Sequence, residues 1–193
     1  MKLDDLIASG AEPRVHGNGF IQVDIDPKRR LHVWHPDVPR RRVPTPIHDH
    51  VFSFNSYVFQ GRLLNVQWDV TYCYWQDRTY GVYEPRQAEG HDTKLVSTGQ
   101  GVRLFQFESA LVGAVGPDTY FMSAGKFHES VPLSPCATIM TKFAKTMKEG
   151  GGTPRVLVPR GMEPDNDFNR HTFAADRLWD IVGRVTGDII PHD

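Results

Sequence analysis

Most of the chain is cut into short β-prone runs, and this pattern limits the possible fold more than any other feature. From residue 20 to about residue 145, the runs are rich in Val, Phe, Tyr, Trp and Thr and are bounded by Gly, Pro and Asp. They show no helical apolar period of useful length, so the helices that a parallel sheet requires are missing. The sequence therefore predicts an all-β sandwich or closed barrel.

The pattern changes after the flexible segment EGGGTP at 149–154. An apolar stripe at helical spacing follows, formed by Leu178, Ile181, Val182 and Val185, and Gly187 is a stop signal behind it. We predict a barrel with a short N-terminal extension over 1–148, and a linker with one helix over 149–193. The helix is expected to cover the barrel or a partner rather than the functional site. A chain truncated after Gly152 should then keep its site.

The overall charge argues against two classes of partner. The 193 residues include 22 basic and 23 acidic side chains, for a formal net charge of -1. A nucleic-acid-binding or membrane-binding protein usually carries a clear basic excess, so we expect neither partner. The basic run RRR at 40–42, inside PRRRVP, is interpreted as a solvated loop.

Cysteine usage and the first residues favour a cytoplasmic protein. Cys73 and Cys136 are the two cysteines, and they form no CxxC pair, so we expect reduced thiols rather than a disulfide scaffold. The start MKLDDLIASG has acids where a signal peptide has bases. No stretch approaches the roughly 20 apolar residues of a membrane span.

The sharpest chemical signal is IHDHVFSFNSYVFQG at 47–61. Successive side chains of a strand point to opposite faces, so His48 and His50 project from one face and can reach one metal ion. His128 follows Gly125, where the chain can turn between strands, and is the candidate third ligand. Neutral imidazoles suit Fe, Zn, Cu, Ni and Mn, which leaves the metal open. The same histidines can also be hydrogen-bonded barrel residues without a metal.

These motifs resemble those of the cupin family. Its first motif has HxH, then usually Glu, then Gly, and the matching positions here are His48, His50, Asn55 and Gly61. Its second motif, PxGxxH, is matched at Gly125 and His128 but not at the proline. With a non-acidic residue at the Glu position, the chain is most similar to thiol dioxygenases of the cysteine dioxygenase type.

The resemblance implies a single double-stranded β-helix of jelly-roll type, with a C-terminal helical extension. It also implies a divalent metal ion held by His48, His50 and His128, Fe(II) first and Zn, Mn or Ni as alternatives. Three neutral ligands would leave the ion its full charge and open positions for substrate and dioxygen. Asn55 and Tyr57 are the expected catalytic-site residues, donating hydrogen bonds to a metal-bound molecule. Packing in the barrel is the alternative interpretation for both.

Two features of thiol dioxygenase sites are missing at the matching positions, namely an Arg in FIQVDI and a Tyr in CATIMTKFA. We therefore expect slow turnover of cysteine and a substrate that is neutral or chelates the metal through oxygen atoms. If a cation is needed, Arg62 and Arg103 are the candidates. The long spacing between the two motifs also predicts an extra hairpin or loop near 76–100, where it can form a lid.

The leading hypothesis is a mononuclear non-haem iron dioxygenase of a small polar molecule. The first alternative is a non-redox cupin, namely an isomerase, epimerase or lyase. The second is a non-catalytic small-molecule-binding cupin. The sequence is also compatible with a homodimer, because the C-terminal helix can cover a partner's surface.

Overall fold

The computed structural model describes residues 1–41, 47–88, 91–113, 118–143, 152–188 and 190–191. The strands in these ranges are β1 (Pro13–His16), β2 (Phe20–Asp24), β3 (Arg29–Trp34), β4 (Phe54–Gln60), β5 (Arg62–Cys73), β6 (Tyr80–Ala88), β7 (His91–Gly113), β8 (Thr119–Met122), β9 (Phe127–Pro132), β10 (Cys136–Lys142) and β11 (Val156–Pro159). The helices are α1 (Leu3–Ala8) and α2 (Ala175–Thr186), with a 3-10 turn at Trp75–Asp77. The prediction of an all-β chain with a C-terminal helix is confirmed. No helix in the described ranges is long and apolar enough to cross a membrane.

The strands form two antiparallel sheets. The first has the order β1-β2-β3-β10-β4-β8, and the second has the order β11-β6-β7-β5-β9. The long apolar run at 51–75 is divided at Gly61, so that β4 belongs to the first sheet and β5 to the second. Gly61 has a φ of 74°, and a Cβ there would overlap the carbonyl oxygen of Pro135. Glycine therefore lets the chain pass between the sheets at this point.

The first sheet has a core on each face. On its outer face, Leu31 and Ile139 pack with Leu6 of α1 and with the predicted stripe of α2. On its inner face, Phe20 and Trp34 belong to a cluster with residues of the second sheet, such as Leu63 and Val112. The α2 stripe is buried as expected, and α2 ends at Gly187, whose φ is 65°.

The segment after residue 151 contributes more than a helix. The predicted linker at 149–154 falls partly outside the described residues, and its described part, 152–154, leads into β11. That strand pairs antiparallel with β6 at the edge of the second sheet. VLVP is too short to show a period, so the sequence pattern did not predict it. Truncation after Gly152 therefore removes a strand of the second sheet as well as α2.

The hairpin expected near 76–100 is present. It consists of β6 and the first part of β7, which pair from Tyr80↔Val102 to Ala88↔His91. The tip, residues 89–90, lies outside the described residues. The two cysteines are free, as expected, and Cys136 is buried while Cys73 is half-buried.

Candidate metal centre

The three predicted ligands, His48, His50 and His128, meet between the two sheets. One nitrogen of each ring lies within 4.8 Å of the others. The Nε2 atoms of His50 and His128 are 3.1 Å apart. The ring centroid of His48 is 4.8 Å from that of His50 and 4.7 Å from that of His128. Three imidazoles at these distances can hold one metal ion.

Main-chain hydrogen bonds position the ligand segments. His48 and His128 form an isolated antiparallel bridge, in which each amide donates to the other's carbonyl oxygen, at 3.0 and 2.9 Å. The amide of Gly125 donates to the carbonyl oxygen of His50 at 2.8 Å. Gly125 has a φ of 77°, a conformation that favours glycine, and this explains the glycine before β9. The approach of the imidazoles is therefore built into the backbone.

A buried ion pair fixes the same segment from its other side. Asp49, between the two ligands, has a side chain that is 0% exposed and pairs with Arg155, whose side chain is 15% exposed. The Nε and Nη2 atoms of Arg155 donate to Asp49 Oδ2 at 2.8 and 2.5 Å, and its amide donates to Oδ1 at 2.5 Å. The guanidinium also lies 4.8 Å from the ring centre of Phe127. Sequence analysis missed this pair, although alternation in HDH places Asp49 opposite the ligands.

Two of the three ligands, His50 and His128, are in the neutral state that metal binding requires. Burial, helped by the neighbouring histidines, lowers the pKa of His50 and of His128 well below the usual 6.5. Both rings are therefore neutral at pH 7. The His128 Nδ1 is 3.1 Å from Asn65 Oδ1, and because that oxygen accepts, Nδ1 carries the proton and Nε2 keeps its lone pair. The Asn18 amide, 3.2 Å from His48 Nδ1, orients the His48 ring.

The donor set defines which ions fit. Three neutral nitrogens suit transition metals such as Fe, Ni and Zn, whereas Mg²⁺ and Ca²⁺ require oxygen ligands. Among the described residues, His48, His50 and His128 are the group of His, Cys, Asp and Glu side chains close enough to share an ion. The site thus has fewer protein ligands than a closed structural zinc site, which has four.

The structure does not place Asn55 and Tyr57 beside the histidines. In β4 the buried positions Phe54, Ser56 and Val58 face inward, so Asn55 and Tyr57 lie on the opposite face. Phe59, on that same outer face, packs against the cluster that contains α2. The family position of Asn55 had suggested otherwise, but alternation within β4, which begins at Phe54, places Asn55 and Tyr57 outward.

A tyrosine that sequence analysis missed lies at the site instead. A small cavity of about 50 Å³ is lined by the three histidines together with Tyr120, Ser130 and other residues. That volume is enough for a few molecules of about the size of water or dioxygen. Burial raises the pKa of Tyr120, although hydrogen bonds from Ser130 and Ser56 oppose the shift. Its phenol is therefore protonated at neutral pH.

A larger cavity of about 520 Å³ shares His48 and His50 with the small one. Pro85 and Leu95 of the β6/β7 hairpin form part of its wall. Its described lining includes six arginines, namely Arg14, Arg30, Arg40, Arg41, Arg155 and Arg170. Neither Arg62 nor Arg103 is among the described lining residues. Arg40 and Arg41 of the RRR run, which was interpreted as a solvated loop, border this cavity. Arg40 is exposed and Arg41 is half-buried, and Arg42 lies outside the described residues.

Comparison of the chain with protein-family models, with curated protein sequences and with solved structures found no match. Function is therefore argued from the site itself.

Proposed function

We propose that this protein is a metal-dependent oxidoreductase of cupin type, namely a mononuclear non-haem iron dioxygenase of a small organic molecule. The observation that carries the proposal is the convergence of three imidazoles, with one nitrogen of each within 4.8 Å of the others, beside two cavities. A ferrous ion bound there would supply electrons for dioxygen activation and open positions for substrate and dioxygen. Both oxygen atoms would pass to the substrate, so no further reductant is needed.

The two cavities beside the histidines have different roles in this proposal. The large cavity has the size of a small-molecule site, which is roughly 300–1,000 Å³, and is the place for the organic molecule. The small cavity holds dioxygen beside Tyr120, whose protonated phenol can donate a hydrogen bond to it. Phe54 packs edge-to-face against His50 with ring centres 4.9 Å apart and is 3% exposed, so it keeps water from that side of the ligands.

Metal content is the first test. Protein purified without an affinity tag should contain about one iron ion per chain, measured by mass spectrometry. The variants His48→Ala, His50→Ala and His128→Ala should lose it. His171→Ala is the matched control, because His171 is an exposed histidine outside the cluster. Full metal occupancy in all three ligand variants would end the proposal.

Oxygen consumption is the second test. Iron-loaded protein in an oxygen electrode is given cysteine, 3-mercaptopropionate, diketones and enediols, together with members of each class that carry two carboxylates or a phosphate group. At least one class should be consumed with uptake of dioxygen. Iron retention without turnover of any substrate would argue against a dioxygenase. Zinc or manganese at full occupancy would instead favour an isomerase, epimerase or lyase with the same ligands.

A further inference from the structure

The large cavity has a cationic wall built from distant parts of the chain. Arg14 of β1 and Arg30 of β3 reach it from the first sheet, and their side chains are 26% and 27% exposed. Both pair with one carboxylate, that of Asp24, with Arg14 Nη2 at 2.6 Å and Arg30 Nε at 2.8 Å. One aspartate thus serves two guanidinium groups.

The charges of this wall do not balance. Arg14 and Arg30 share the single negative charge of Asp24, and Arg40 adds a third positive charge, which leaves these three arginines with a surplus of two. Arg41 and Arg170 have contacts of their own and are not counted here. Arg155 adds nothing, since Asp49 neutralises it. Partly buried charges of one sign attract a counter-ion strongly, because the low-dielectric walls focus the field.

Arg40 is placed to meet a ligand. It is exposed and makes no hydrogen bond or ion pair with any described residue. Its side chain lies on the turn between β1 and β2, where a Cβ on Gly19 would overlap Arg40 Cγ. The Arg41 side chain lies against Gly17 of the same turn in the same way, and the Arg41 amide donates to the Gly17 carbonyl oxygen at 3.0 Å. The two glycines therefore make room for two arginines at the edge of the cavity.

We infer that the large cavity binds an organic dianion, and that the substrate carries two carboxylates or a phosphate group beside the atoms that react at the histidines. Guanidinium groups bind both kinds of anion through paired N–H donors, and a dianion matches the surplus of two charges. The identification of the anion as the substrate rests on the proposed function. The binding of an anion in the cavity is independent of that function. Sequence analysis expected a substrate that is neutral or chelates the metal through oxygen atoms. The inference replaces the neutral alternative and is compatible with the chelating one.

Isothermal titration calorimetry on chelator-treated protein at low ionic strength tests the inference. The probes are malonate, inorganic phosphate, the monoanion acetate and neutral malonamide. We expect the dianions to bind more tightly than acetate, malonamide to show no binding, and added salt to weaken the dianions. A preference for phosphate over malonate would point to a phosphate ester as substrate, and the reverse to a dicarboxylate.

The Arg40→Gln variant should bind the preferred dianion about tenfold more weakly, the loss expected for one charge-assisted hydrogen bond. Arg62→Gln is the matched control, because it removes the same charge from an exposed arginine that is not a described lining residue. Equal losses in the two variants, or no binding of either dianion to wild-type protein, would overturn the inference. Dianion binding to protein that neither holds iron nor consumes oxygen would refute the proposed function and leave the anion site standing.

Discussion

The ion pair between Asp49 and Arg155 offers the sharpest test of how the site is held together. Arg155→Ala leaves the fully buried Asp49 carboxylate with the main-chain amide of residue 155 but without the guanidinium. Removing one partner of a buried pair costs about 3–5 kcal/mol. We expect the free energy of unfolding of Arg155→Ala to fall by about 3 kcal/mol, the lower end of that range, because the main-chain hydrogen bond to Asp49 remains.

Urea unfolding in the presence of a chelator measures this loss without a contribution from metal. The matched control is Arg184→Ala, since Arg184 pairs with Asp180 and Asp37 through side chains that are 49%, 67% and 50% exposed. Pairs of that kind contribute less than about 1 kcal/mol. Metal affinity should also fall by about 10- to 100-fold in Arg155→Ala, because the ligand segment loses its support. If Arg155→Ala and Arg184→Ala lose the same stability, Asp49 does not depend on Arg155.

Three further outcomes follow from single contacts. Asn65→Leu should weaken metal binding by about 10- to 100-fold in a chelator competition, because His128 loses the acceptor that fixes its tautomer; unchanged affinity would contradict that role. Burial lowers the pKa of His32 to about 3, so below pH 6.5 the unfolded chain binds a proton that the folded chain does not. As the pH drops below 6.5, His32 alone should lower the stability measured in urea by up to about 1.4 kcal/mol per pH unit. The fall should therefore be less steep in His32→Phe by about that amount, and an equal slope in both proteins would refute the role of His32. A chain ending at Gly152 should fail to bind metal, since it lacks Arg155 and β11, whereas retention of the metal would restore the original expectation for this truncation.

Local sequence patterns predicted most of the fold. They could not predict the contacts that hold the histidines in place, because those contacts join residues far apart in the sequence. The HxH pair and the Gly125 turn are visible in sequence because alternation and backbone conformation act over a few residues. Asn55 was misplaced because a family position was preferred to the alternation that starts at His48. Arg155 could not be predicted, since its contact with Asp49 spans 106 positions of the chain. Main-chain pairing across the fold, rather than any local pattern, brings such groups together.

The arginines of the cationic wall come from β1, from β3 and from the loop at Arg40. Because they are far apart in the sequence, the composition of the chain does not reveal the wall. The whole chain is nearly neutral, with 22 basic and 23 acidic residues. Acidic side chains elsewhere on the chain conceal the local surplus in the sum. Net charge bears on the expectation about polyanionic macromolecules, but it could not report on a small anion in one cavity.

Binding of a metal ion at the histidines and binding of an anion in the large cavity should be coupled. The two ligands carry opposite charges, and both cavities are lined by His48 and His50, so the ligands would lie close together. A divalent ion placed beside the cationic wall is repelled by it, and a dianion in the cavity removes that repulsion. We expect malonate to tighten metal binding by about fivefold or more, and by linkage the metal must tighten malonate equally. A metal buffer that fixes the free ion concentration measures the first effect without interference from chelation in solution. Arg40→Gln should reduce the coupling, because it removes a positive charge from the cavity wall, whereas Arg62→Gln should keep it. Any direct coordination of malonate to the metal is the same in both variants, so the difference between them reports on the wall alone. Equal tightening in the two variants would show that the anion acts through the metal alone and not through the arginine wall.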